Sequence, residues 1–182
     1  MPIRRPPPRS KPREVPQIPP GTRGLRRHPA LVELSRDHHH VLVQALALRR
    51  AADVDGDRRR VAAEALPFVS DEIGPHTAEE EEVLLPRSAH LDPEGAQRIR
   101  DEHREIEQWA SRIAGALTTG GELAEPMREL GRLLDDHVRF EERSYFETVQ
   151  RGLDEEALEE LRVAMESKRV ERPGRSCTAR RR

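Results

Sequence analysis

The pattern His-x-x-x-Glu occurs twice in this chain, as His76 with Glu80 and as His137 with Glu141. Around each copy apolar side chains recur every three or four positions, which is helical spacing. Four residues cover about 6 Å of helix and bring both side chains onto one face, here the apolar one. An imidazole and a carboxylate facing a core need a reason, because burying them unpaired is costly. A metal ion supplies one, since it takes lone pairs from both.

Two more histidines, His38 and His103, stand at equivalent places on two other amphipathic stretches. The first stretch begins at Pro29 and repeats Leu31, Leu34, His38, Val41, Leu42, Ala45 and Leu46 on its inward face, ending at a turn over Asp53–Asp57. The second runs from about Arg58 to Leu85 with Ala62, Leu66, Val69, Ile73, His76, Glu80 and Val83 or Leu84 inward. Proline removes a backbone donor and usually kinks a helix. Pro67 and Pro75 are therefore expected to interrupt the second helix, with a break at Gly74-Pro75, and Pro86 to stop it. Asp92-Pro93 opens the third helix as cap and first helical residue, with Ile99, His103, Ile106, Ala110, Ile113 and Leu117 inward. After a loop at Thr118–Gly121 the fourth helix uses Met127, Leu130, Leu134, His137, Glu141 and Tyr145, and Gly152 ends it. Asp154 to Lys168 reads as a short, highly charged fifth helix against the bundle.

The fold class is thus all-α: an up-down-up-down four-helix bundle with a short C-terminal fifth helix and disordered basic tails. Aromatics make up only 3% of the 182 residues, so the core must come from Leu, Val, Ile and Ala. The net charge of −2 conceals an acidic centre between basic ends. Residues 1–27 carry eight Arg/Lys against one Glu, and 168–182 carry seven against one. Eight of the fifteen prolines fall in residues 1–24, a composition that cannot offset its ordering entropy by burial. The expected organisation is a disordered Pro/Arg-rich tail over 1–27, the bundle over 28–168 and a basic tail over 169–182. The one cysteine, Cys177, excludes an intrachain disulfide and a cysteine-based zinc or iron–sulfur site. No apolar run approaches the ~20 residues of a membrane span. The N-terminus lacks the apolar stretch of a secretory signal, so the cytoplasm is the expected location.

The candidate metal ligands are His38, His76, Glu80, His103, His137 and Glu141. A single histidine on an apolar face is more often a satisfied core residue than a ligand. Four of them, one per helix and two with a carboxylate one turn on, form a set that chance does not explain. Glu80 fits both the stripe and the spacing, with Glu79 as the fallback, and Glu141 is preferred to Glu142 on the same grounds. His39 and His40 turn away from the stripe, and His28 and His90 read as solvated. Tyr145, a turn beyond Glu141, is expected to pack in the core. Imidazole with carboxylate suits iron, manganese or zinc.

At these residues the chain resembles the hemerythrin family, in the broad group of hemerythrin HHE cation-binding domains. The likeness rests on Leu34-Ser-Arg-Asp-His38, on His76-Thr-Ala-Glu-Glu80 followed by Val83-Leu-Leu-Pro86, on Asp101-Glu-His103, and on His137-Val-Arg-Phe-Glu141-Glu142. It covers about residues 28–150, and its specificity lies in the ordered set rather than in any one piece. The resemblance implies a non-haem di-iron centre bridged by Glu80 and Glu141, with His38 and His76 on one iron and His103 and His137 on the other. Oxygen-carrying members place a second histidine four residues after the third-helix histidine; here that position is Glu107. The remaining set is similar to that of iron-sensing domains and of di-iron proteins linked to nitric-oxide stress and iron–sulfur repair. The repair proteins add an N-terminal cysteine-bearing domain, where this chain has its Pro/Arg stretch.

The implied function is binding or sensing of O₂, NO or iron status. One alternative is a di-iron oxidase or peroxide-consuming enzyme. Another is an interaction module whose basic tails bind nucleic acid, a binding that would fall steeply with salt.

Overall fold

A computed structural model of the chain describes residues 27–54 and 56–171. Of the expected tails over 1–27 and 169–182, residues 1–26 and 172–182, Cys177 included, lie outside the described residues. The described residues form five helices and no strand. They are α1 (Pro29–Asp53), α2 (residues 58–88), α3 (Pro93–Thr119), α4 (residues 124–152) and α5 (Glu155–Val170). None is long and apolar enough to cross a membrane. In α1 to α4 each helix packs on the next, α4 returns to α1 in the largest of these contacts, and α5 lies across α1 and α2.

Local chemistry sets the helix ends. Asp92 accepts the Gly95 N–H at 2.9 Å at the start of α3, and Asp154 accepts that of Ala157 at 2.9 Å at the start of α5. His28, expected to be solvated, instead caps α1, its Nδ1 accepting the Ala30 N–H at 3.2 Å. Gly120 closes α3 at φ 76°, a left-handed conformation that glycine adopts without steric cost.

The prolines do not break α2. The Gly74 N–H reaches back five residues to the Val69 carbonyl, and the Leu85 N–H reaches back five to that of Glu80. Pro75 and Pro86 are the residues immediately after those two wide turns. A proline ring collides with the carbonyl four residues back and offers no N–H. Widening the preceding turn relieves the collision at Pro75 and Pro86, so α2 continues through Pro75 and passes Pro86 to Ser88; Pro67 lies within the α-helical stretch that precedes the first wide turn. A third wide turn, from Glu141 to Phe146, lies in α4.

Two apolar clusters flank a polar layer. One contains Val41, Ala45, Leu48, Ala62, Ile73, Ile106, Ile113, Met127, Leu130 and Leu134. The other contains Leu31, Leu34, Leu84, Leu85, Ile99, Phe146, Val149, Leu158 and Leu161. In α1 and α3 the second cluster precedes the histidine in sequence; in α2 and α4 it follows. That alternation is the up-down-up-down arrangement. Leu48 is fully buried where the stripe was drawn through Leu46, which is exposed; the 3.6-residue turn carries the inward line from Ala45 to Leu48. Tyr145 is buried and its hydroxyl lies 3.0 Å from that of Ser88, which itself donates to the Leu84 carbonyl, so Tyr145 packs in the second cluster.

The close approach of α1 and α4 rests on Gly131. A Cβ there would stand 2.7 Å from the Ala45 carbonyl oxygen and 2.7 Å from Cγ of Arg49. Since the first obstacle is backbone, Gly131→Ala is expected to destabilise the protein by about 1–3 kcal/mol, seen as a lower urea midpoint. An unchanged midpoint would show that the two helices separate freely.

Candidate metal centre

The polar layer consists of His38 from α1, His76 and Glu80 from α2, His103 from α3, and His137 and Glu141 from α4. All six side chains are buried, at 0–4% exposure. They form two groups, His38, His76, Glu80 and Glu141, and Glu80, His103, His137 and Glu141. Within each group the candidate ligand atoms all lie within 4.8 Å of one another. The two carboxylates belong to both groups.

The imidazoles turn their Nε2 atoms inward. That of His38 is 3.2 Å from His76 Nε2 and 3.0 Å from Glu141 Oε2. Glu80 divides its oxygens, Oε1 3.3 Å from His76 Nε2 and Oε2 3.2 Å from His103 Nε2. His137 Nε2 is 3.4 Å from Glu141 Oε2. The rings pair edge to face, His38 with His76 at 4.9 Å between centroids and His103 with His137 at 5.0 Å. Both oxygens of Glu80, both of Glu141, and the Nε2 atoms of His103 and His137 are buried without a hydrogen bond. Buried polar atoms are rarely left so. These nitrogens and oxygens are the donor types that iron, manganese and zinc accept, and they converge, so the residues fit bound metal.

The outward Nδ1 atoms meet a second set of carboxylates. His38 Nδ1 is 2.7 Å from Glu142 Oε1, His103 Nδ1 is 2.8 Å from Glu81 Oε1, and His137 Nδ1 is 2.8 Å from Glu102 Oε2. His76 Nδ1 is 3.5 Å from Asp37 Oδ2. Each acid comes from the helix before the one bearing its histidine: α1 serves α2, α2 serves α3, α3 serves α4, and α4 serves α1. Such partners fix the tautomer and orientation of a ligating imidazole. Sequence reasoning passed over all four, although each is the immediate neighbour of a candidate ligand, in Asp37-His38, Glu80-Glu81, Glu102-His103 and Glu141-Glu142. Glu79, the fallback ligand, is buried but faces Arg169, 2.9 Å from its Nε. Glu107, His39, His40 and His90 are exposed.

Protons compensate the buried acids in the metal-free protein. Burial opposes charge on His76, but Glu80 beside it, the Asp37 contact and Glu141 outweigh that and raise its pKa to about 10. His38 and His103 are raised in the same way, against burial, by Glu141 and Glu142 and by Glu80. Burial pushes Glu80 up, yet His76 and His103 hold it well below the ordinary carboxylate range.

The family model that describes the hemerythrin HHE cation binding domain matches residues 30–149. A protein named DNA nickase, from Nostoc sp. (strain PCC 7120 / SAG 25.82 / UTEX 2576), is 33% identical over 86 residues. That match covers 47% of this chain and 24% of the relative, so the chain spans about a quarter of the relative's length. No solved structure matches.

Metal and protons compete for the same atoms, and the sign of the pH effect follows. Between the ordinary histidine value of 6.5 and about 10 the folded metal-free chain holds a proton on His76 that the unfolded chain has lost. Its stabilisation is complete below 6.5 and is lost as pH rises through 10. The Glu80 contribution runs the other way, present above 4.5 and lost in stronger acid. The urea midpoint of metal-free protein should therefore fall from pH 6.5 to pH 10; a rise over that interval would contradict the assignment of the protons.

Proposed function

Since the chain belongs to the hemerythrin HHE cation-binding domain family, we propose that it is a non-haem di-iron protein that binds or senses O₂, NO or iron status. His38 and His76 would hold one ion and His103 and His137 the other, with Glu80 and Glu141 available to both. The observation that carries this reading is the sharing of two buried carboxylates, otherwise without hydrogen bonds, by two groups of donors. When bound, a pair of ions held by so few protein donors offers open coordination to a small ligand. The bundle's own residues bind and orient the ions and exclude water, and their burial restricts the ligand to a few atoms. Glu107 is exposed, so the third helix brings one histidine to the site rather than two. That leaves the coordination more open than in an oxygen carrier and favours sensing over carriage; it equally supports a peroxide-consuming or oxidase activity as the enzymatic alternative.

Anaerobic loading with ferrous iron should give two ions per chain by metal analysis, and His137→Ala should hold at most one. New optical bands on adding O₂ or NO are expected in the loaded wild type. Two bound irons with no band from either gas would remove the sensing reading while leaving the site intact.

A second reading, nucleic-acid binding through the basic ends, draws support from the likeness to a protein named DNA nickase. Full-length protein should then retard plasmid DNA at low salt and lose it steeply between 50 and 200 mM, as counterion release requires. No retardation at low salt would exclude it.

A further inference from the structure

The four outer carboxylates are not equivalent. Three sit 2.7–2.8 Å from their histidines, whereas Asp37 stands 3.5 Å from His76. The same Asp37 oxygen, Oδ2, lies 2.7 Å from Nη2 of Arg169. Arg169 was assigned to the C-terminal tail by the sequence, but α5 runs to Val170 and carries this guanidinium into the bundle at 12% side-chain exposure. There it also meets the buried Glu79 at 2.9 Å and Glu33 at 3.6 Å.

We propose that Arg169 is a positioning residue for the metal centre: it draws Asp37 away from His76 and so sets the His38/His76 subsite apart from the His103/His137 subsite. A carboxylate that accepts from an imidazole N–H makes the opposite nitrogen a better donor to a metal. A guanidinium on the same carboxylate oxygen competes for that acceptor, since charge-assisted bonds to arginine are the stronger ones. His76 is accordingly the least strongly supported of the four imidazoles, and the docking of α5 is what makes it so. Glu102 and Glu142 show the contrast. Each also pairs with an arginine, Arg98 at 2.7 Å from Glu102 Oε1 and Arg27 at 2.6 Å from Glu142 Oε2, but each turns its other oxygen to its histidine, at 2.8 and 2.7 Å, whereas Arg169 and His76 approach the same oxygen of Asp37.

The inference rests on the two-ion reading, and the test separates them. Stepwise zinc affinities of the full chain are measured by chelator competition in wild type, Arg169→Gln, Asp37→Asn and the double variant. Arg169→Gln should tighten one of the two steps about tenfold and leave the other unchanged. Asp37→Asn should weaken that same step, and Arg169→Gln should have no further effect in its presence, because the arginine acts through the aspartate. Arg169→Lys should fall between. Arg169→Gln/Glu79→Gln removes the cation together with a buried acid it compensates, so the comparison survives if Arg169→Gln alone folds poorly. Equal shifts in both steps, weakening rather than tightening, or an effect that persists with Asp37→Asn would overturn the proposal while two zinc ions still bind. Wild type that binds fewer than two ions would overturn the two-ion reading itself.

Discussion

Two carboxylates, Glu80 and Glu141, lie fully buried in the middle of a bundle whose other inward residues are mostly apolar. Two like charges brought this close inside a protein demand compensation far larger than a typical folding free energy can spare. Imidazoles supply it, those of His38, His76 and His103 held toward their charged form and all four as candidate ligands of cations. Much else about the bundle follows from that demand. Each imidazole must present Nε2 inward, so each needs an acceptor behind Nδ1, and the helix next to it supplies one. Because α1 to α4 close on themselves, the acceptors close too: Asp37, Glu81, Glu102 and Glu142 form a ring in which every helix both gives a carboxylate and receives one.

The wide turns belong to the same economy of space. Glu80 and Glu141 each open one. A wide turn displaces the helix face by part of a residue, so the face that carries His76 and Glu80 does not need to remain in strict register with Val83 and Leu84 beyond it. In α2 the same device admits Pro75 and Pro86. In α4 no proline follows the turn, so the turn there is tied to the site and not to the ring of a proline.

The ligand candidates were legible because a helix fixes which residues share a face: His38, His76, His103, His137, Glu80 and Glu141 all fall on apolar stripes, and the structure brings all six together. The start of the third helix at Asp92 was legible for an equally local reason, the chemistry of its cap. What stayed hidden depends on neighbours far along the chain. Proline argues for a stop at residue 86 unless the preceding turn is widened, and nothing in the spacing announces that widening. Asp37, Glu81, Glu102 and Glu142 each adjoin a candidate ligand in sequence, but their histidines lie on other helices, so spacing along one helix does not reveal the pairing. Arg169 looked like the first residue of a basic tail. Only the packing of α5 across α1 and α2 turns it toward Asp37 and Glu79.

The polar layer also specifies the register of the bundle. Above and below it the cores are built of Leu, Ile, Val and Ala, residues that tolerate sliding by a turn at modest cost because hydrophobic contact is not directional. At the layer no sliding is tolerated. A shift of α3 by one turn would put His103 beside Ile or Leu and leave an oxygen of Glu80 without its nearest imidazole, a buried charge without a partner. The same shift would part Glu81 from His103 and Glu102 from His137, so two links of the ring would fail together. Charge at the layer thus excludes the alternative registers that an all-apolar core of similar composition would admit.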